Sequence, residues 1–489
     1  MTLLTKSKYL IGMQCAKWLW MEINDKGKIP KPDRNAESKF ETGNLIGELA
    51  KKLFPKGIDI PTFGFKESLN QTQELIKERK VLFEPSFLID DLYSRGDLLV
   101  PVGENEWDII EVKSGTKVKD LNVHDVSFQK YVYEKAGLKI RKCFLMHLNS
   151  EYVKMGNIEP NELFIQAEIT QEVNSVDGIE NRIKEMFEII SSKECPNFHV
   201  DDLKTIEYDN IAKDEFLKSF PNENVFQLYR GGIKSRNLYK EGIIKIKDIP
   251  ESQKLTDNQK IQRECAITGK ININKDKLKT FIDGLNYPLY YLDFETILPA
   301  VPRFDKTKPY QQVPFQYSLH IVEEQGAEPK HISFLAEGMD NPIPKFLQSL
   351  KENLGDKGDI IVYNESFERK RLQEGAGLFP EFEEIVEKNW LPRIKDLLIP
   401  FRKFDYYDPK QKGSASIKKV LPVMSDLSYD GLLISEGMGA SLEYERVTFG
   451  DASDEEKKKV REALEKYCEL DTLAEIKIID RLGEILNGK

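Results

Sequence analysis

The chain has 489 residues, 40% of them apolar, and a formal charge of −10 from 72 basic and 82 acidic residues. This composition supports packed cores over about three domains and excludes wholesale disorder; the acidic balance excludes a polybasic, histone-like binder yet leaves room for a local basic face. No apolar run reaches bilayer length, the N-terminal stretch around Leu10 is broken by Lys6, Lys8 and Lys17, and five scattered cysteines make no disulfide framework, so a cytoplasmic, reducing setting without a membrane partner is expected.

Region 1–200 mixes helices and short strands. Lys39 to Phe54 reads as a helix, with Ile46, Leu49, Ala50 and Leu53 at helical spacing. Leu98–Val102 and Trp107–Val112 read as strands joined at Gly103-Glu104-Asn105, followed by a helix over Val123–Ala136, ended by Gly137, and a strand over Ile140–Leu148. A three-residue loop centred on Glu104 pairs residues whose numbers sum to 208, so Asp97 opposes Glu111. Directly paired residues have Cβ atoms about 4.5–5.5 Å apart, and Lys113, two residues on, leaves the same face. Two carboxylates that close repel unless a cation lies between them. A divalent ion would resolve the repulsion and activate water for attack on phosphorus, with Lys113 stabilising developing charge. Gln129 and Tyr133 lie one helical turn apart and project together.

Asp97-x13-Glu111-x-Lys113 followed by Gln129-x3-Tyr133 resembles the PD-(D/E)XK nuclease core of the RecB-like type. The resemblance implies a restriction-endonuclease-like fold and metal-dependent hydrolysis of DNA, with Asp97 and Glu111 as ligands. Its members often add a histidine ligand on the first helix, where Glu48 is the nearest match here. Some relatives hold an iron–sulfur cluster through one N-terminal cysteine and three near the domain end. Cys15 resembles the first and Cys195 alone stands near the others, so no cluster is expected and Cys15 reads as a small buried residue.

Region 201–280, with Gly231-Gly232 and Gly242 among leucines and isoleucines, reads as a helical connector. Region 281–489 opens with a strand over Leu289–Phe294. Strands over Phe315–Val322, His331–Leu335 and Asp359–Tyr363 follow, then a helix from Ser366 and a long helix over Asp454–Leu486. Asp293 and Glu295 alternate at the tip of an apolar strand, where carboxylates need compensation. Glu368 lies at a helix start, and Tyr467 and Asp471 are one turn apart beside the apolar stripe of the last helix. Four such carboxylates suit two metal ions about 3.5–4 Å apart, with the Tyr467 hydroxyl orienting the attacking water. With only five histidines in the chain, the expected ions are the hard cations Mg²⁺ or Mn²⁺. Between these motifs, Arg402, Lys403, Lys410, Lys412, Lys418 and Lys419 interleave with Phe401, Phe404, Tyr406 and Tyr407. Such a segment reads equally as a single-strand channel of phosphate-tracking cations and stacking rings or as a solvated loop. His320, on an apolar strand, reads as structural.

Asp293-x-Glu295, Asn364-x-x-Phe367-Glu368 and Tyr467-x3-Asp471 together resemble a DnaQ-like 3′–5′ exonuclease of the DEDD type, tyrosine variant, on an RNase H fold, with Glu where the second motif usually has Asp. Over nearly the whole chain, Tyr290–Thr296, Pro314–His320, Tyr363–Glu368 and Ser416–Pro422 resemble a bacterial family of uncharacterised proteins that join a RecB-like nuclease domain to a DnaQ-like one. The expectation is therefore an α/β protein with two metal-dependent nuclease domains. Its expected substrate is DNA, single-stranded or with ends, with RNA an open alternative, in repair, mobile-element processing or antiphage defence. The rival expectation is a module that recognises nucleic acid without cutting it, or that relies on a partner protein.

Overall fold

Strands and helices alternate through the computed structural model, which describes residues 2–61, 64–207, 210–434 and 436–488. The α/β chain divides into two units, Met1–Ser219 with Ala300–Tyr310, and Phe220–Pro299 with Gln311–Lys489. Among the described residues no helix is long and apolar enough to cross a membrane.

In the first unit, α1 (Lys6–Gln14) starts where the Thr5 hydroxyl accepts from Lys8 N–H. The helix expected from residue 39 begins earlier, spanning Arg34–Lys51, because Asp33 caps it by accepting from Ala36 N–H at 2.8 Å. Strands β1 (Leu98–Val102) and β2 (Glu106–Lys113) form a hairpin, and Gly103 takes the left-handed backbone its turn requires (φ +54). Leu98 pairs with Ile110 and Val102 with Glu106, the expected register. The crossover helix α2 (Asp120–Lys135) leads to β3 (Lys139–Leu148), parallel to β2. The sheet runs Ile58–Asp59, Leu82–Phe83, β1, β2, β3, Phe164–Glu168.

The segment expected as a connector divides between the units. Helix Ile211–Lys218 belongs to the first, and Gly232–Lys240, Asp257–Thr268 and Lys275–Asp283 to the second. Val225, Leu228, Leu238, Ile246 and Ile249 give it a small core of its own.

In the second unit a five-stranded sheet is built from β4 (Leu289–Ile297), β5 (Val313–Val322), β6 (Lys330–Leu335), β7 (Asp359–Val362) and β8 (Ile394–Asp396), in the order β6-β5-β4-β7-β8. The β6-β5-β4 pairs are antiparallel, and β7 and β8 add in parallel. Both faces are covered, so β5 is apolar or buried at every position rather than alternating. Helix α3 (Glu365–Leu378) follows β7, α4 (Ile417–Met424) and α5 (Gly437–Phe449) come next, and α6 (Asp454–Leu486) closes the chain. A capping box starts α6: Ser453 Oγ accepts from Glu456 N–H, and the Glu456 carboxylate accepts from Ser453 N–H at 3.0 Å.

Candidate functional site

Asp293 and Glu295 leave the same face of β4, cross-strand from Ser318 and Gln316 of β5, and a β-bulge between Glu295 and Thr296 ends the regular ladder there. Helix α6 packs on this face through polar anchors. Gln316 Nε2 donates to Leu464 O at 2.9 Å, and the hydroxyls of Ser318 and Thr472 are 2.7 Å apart. That docking brings Asp471 to the strand tip, so ligand oxygens of Asp293, Glu295 and Asp471 lie within 4.8 Å of one another. Glu368 comes from the first turn of α3, reached through Asn364 in the left-handed region (φ +89), and is buried.

Burial, then the charge of Asp471, pushes Asp293 well above the usual carboxylate range. Burial raises Glu295 likewise, followed by the charges of Asp293 and Asp471. Asp471 is pushed up to about 6 by burial, against the Tyr429 hydrogen bond and the charge of Lys418. Glu368 is raised by burial and then by Asp293. Cys468 Sγ lies 3.6 Å from Asp293 Oδ2, and burial holds its thiol protonated.

Three further groups belong to this centre: Glu475 and Tyr429, which the sequence reading leaves out, and Lys418, which it places only among six cations of one segment. Glu475 is 1% exposed, and burial together with Asp293, Glu368 and Asp471 raises it strongly. It stands one turn past Asp471 on the buried stripe of α6, a visible signal. Tyr429 donates its hydroxyl to Asp471 Oδ1 at 2.5 Å; it lies in a loop without periodicity and carried no signal. Lys418, grouped with the other cations of its segment, lies over the rings of both Tyr429 and Tyr467, 5.6 Å from each centroid. Tyr467 is buried, and burial followed by the three acids keeps its hydroxyl protonated.

The donor set fits a hard divalent cation. It is all carboxylate, its members repel, and Glu368 Oε2 and Glu475 Oε2 are buried without a hydrogen-bond partner among the described residues. Asp293, Glu295 and Asp471 would hold it, with Glu368 and Glu475 behind them.

The aromatic residues expected to stack on bases do not face solvent. Phe401, Phe404, Tyr406 and Tyr407 are all buried, Phe404 and Tyr407 stacked 4.2 Å apart. Tyr406–Tyr407 pairs as a strand with Asn272–Ile273, which draws these rings into the core. The cations of this stretch diverge. Arg402 pairs with Asp396 at 3.3 Å, Lys403, Lys410, Lys412 and Lys419 are exposed, and Lys418 alone of the six approaches the acids.

In the first unit Asp97 stands just before Leu98, whose pairing with Ile110 ends the ladder, and its Oδ2 accepts from Val112 N–H at 2.6 Å. Glu111 is buried, and its Oε1 takes Lys113 at 2.6 Å and also Lys6, from α1, at 2.7 Å. Gln129 donates to Glu111 Oε2 at 2.7 Å and to Asp125 Oδ1 at 3.1 Å; Lys113 also reaches Asp125 Oδ2 at 2.7 Å. Burial disfavours the charged form of Lys6, yet Asp125 and Glu111 outweigh it and hold the group up at about 12. Lys113 is raised by the same balance of burial against Asp125, Glu111 and Asp97. Here the ammonium groups of Lys6 and Lys113 pair with the acids. Asp125 sits one turn before Gln129 on α2, a signal the sequence carried, whereas Lys6 comes from a distant helix. Tyr133 donates to Pro85 O at 3.2 Å rather than to an acid, and burial followed by the charge of Glu111 keeps its hydroxyl protonated. Glu48 is exposed and pairs with Lys51 at 2.8 Å, because it occupies the solvent face of its helix. Cys15 is buried, its thiol pushed up to about 12 by burial, and Cys195 is exposed.

Known proteins resemble parts of this chain. An uncharacterized protein of Mycoplasma pneumoniae, the MG366 homolog, is 28% identical over 229 residues, 42% of this chain and 33% of its own length. Uncharacterized protein UU173 of Ureaplasma parvum is 25% identical over 305 residues, 56% of this chain and 38% of its own. MG366 of Mycoplasma genitalium is 27% identical over 229 residues, 42% of this chain and 33% of its own. The chain thus spans little more than a third of the curated relatives it matches. Residues 290–416, which carry Asp293, Glu295 and Glu368, match a domain of unknown function, DUF2779.

Proposed function

We propose that this chain is a metal-dependent nuclease whose principal centre is the acidic cluster of the second unit, acting as a 3′–5′ exonuclease on DNA that is single-stranded or has ends. The observation that carries the reading is the convergence of Asp293, Glu295 and Asp471 within 4.8 Å, from strand and helix, in a buried setting. A strand order of three antiparallel strands followed by two parallel ones, with two of the acids on the central strand, supports an RNase H-like, DnaQ-type architecture. A bound Mg²⁺ or Mn²⁺ supplies water activation and neutralises phosphate charge. The chain's own groups do the rest. The protonated Tyr467 hydroxyl orients the water that adds to phosphorus as the bond to the leaving oxygen breaks. Lys418, held over the Tyr429 and Tyr467 rings, offsets charge developing on the phosphate.

The β1-β2-α2-β3 arrangement supports a PD-(D/E)XK reading of the first unit, and we assign a second nuclease centre to Asp97, Glu111 and Lys113 with Gln129. There the Lys6 and Lys113 ammonium groups occupy Glu111 Oε1, an oxygen that a bound cation would compete for.

The test is degradation of end-labelled single-stranded DNA, duplex DNA and RNA by the full chain with Mn²⁺. Stepwise loss from 3′ ends, abolished by EDTA and by Asp293→Asn, is expected. Binding without cutting of any of the three would make the chain a recognition module instead.

A further inference from the structure

A second cluster of metal-ligating side chains lies in the same unit, and it contains nitrogen. His320 is no isolated histidine: it pairs across strands with His331 of β6, and the two rings stack 4.5 Å apart. Both face α6, whose Glu469 brings a carboxylate oxygen to 3.7 Å from His331 Nδ1. Ligand atoms of His320, His331 and Glu469 lie within 4.8 Å of one another.

Hydroxyls hold the other ring nitrogens: His320 Nδ1 lies 2.8 Å from Thr472 Oγ1 and His331 Nε2 lies 3.0 Å from Ser318 Oγ, and these two hydroxyls are 2.7 Å apart. His331 Nδ1 is the nitrogen that faces the Glu469 carboxylate. Imidazoles whose second nitrogen is held by a fixed hydrogen-bond partner are the usual form of histidine ligands. His320 is buried. His331 and Glu469 are half-buried at the sheet edge, which gives an ion access.

We propose that His320, His331 and Glu469 form a second metal site, selective for a borderline ion such as Zn²⁺ and separate from the oxygen-only centre. Two imidazoles and one carboxylate are a zinc-type donor set, whereas carboxylates alone suit Mg²⁺ or Mn²⁺. Its three ligands leave a coordination position for water. The ion would clamp the edge strand β6 to α6, the helix that also carries Asp471.

The test uses the full chain with Asp293→Asn and Asp471→Asn, which disarm the acidic centre, dialysed against Zn²⁺ and assayed for bound metal. One Zn²⁺ per chain is expected. Glu469→Gln or His331→Gln, added to that background, should weaken retention at least tenfold with far-UV circular dichroism unchanged. Co²⁺ offers a readout in the otherwise unsubstituted chain as well: intense visible bands of a nitrogen-containing, low-coordinate site are expected, and should be lost with His331→Gln. A folded chain that retains no Zn²⁺, or retention and bands that neither substitution alters, would overturn the proposal.

Discussion

Asp471 illustrates what it costs to bury a carboxyl beside other acids. Its carboxyl titrates at about 6 in the folded chain against an ordinary 3.8. Between those values the folded state binds more protons than the unfolded one, so stability falls as pH rises from about 4 to 6, by about 3 kcal/mol from this group. Asp471→Asn removes that term. Its melting temperature in EDTA should therefore gain on the unsubstituted chain between pH 4.5 and 7; a constant difference across that range would contradict the assignment. Metal must displace the same proton, so Mn²⁺ should raise the melting temperature more at pH 8 than at pH 5. Tyr467→Phe removes only a hydroxyl. It should lower the turnover rate by about 10- to 100-fold with DNA affinity kept, and an unchanged rate would remove Tyr467 from the mechanism.

Among the secondary-structure elements, α1 and α6 place charges that their own sequences do not explain. Lys6 rides on α1 into the Glu111–Asp125 pair. Replacing it with Met leaves two buried carboxylates with a single ammonium, and should destabilise the first unit by about 3 kcal/mol in urea denaturation. Because its folded pKa is raised to about 12, that contribution is fully present below the ordinary lysine value and is lost only above it; the effect should be constant from pH 6 to 9. Gly96 marks a close approach: a Cβ there would meet Gln129 Oε1 at 2.4 Å and the Tyr133 hydroxyl at 2.6 Å. Gly96→Ala should displace both side chains and cost about 1–3 kcal/mol, visible as a lowered melting temperature. At the start of α6, Ser453→Ala should cost about 1 kcal/mol and leave nuclease activity unaltered, since the cap lies more than four turns from Asp471.

Across the full chain, the two acidic centres should be separable. Asp293→Ala is expected to abolish stepwise loss from 3′ ends, and Glu111→Ala to remove a different cutting activity. If Asp293→Ala ends all cleavage while Glu111→Ala changes nothing, the first unit does not cut under those conditions. Much of the local architecture could be read in advance. The β1–β2 register followed from a three-residue loop, because a short turn leaves no freedom to slip. The span of α6 followed from its apolar stripe, and the spacing of Asp293 and Glu295 followed from strand alternation. Those are properties of neighbours along the chain. What they could not supply was which distant groups would share a pocket. Lys6 compensates Glu111, Tyr429 binds Asp471, His331 stacks on His320, and the aromatic rings of 401–407 turn inward. Each depends on how separate strands and helices pack, where burial and charge act across space rather than along the backbone.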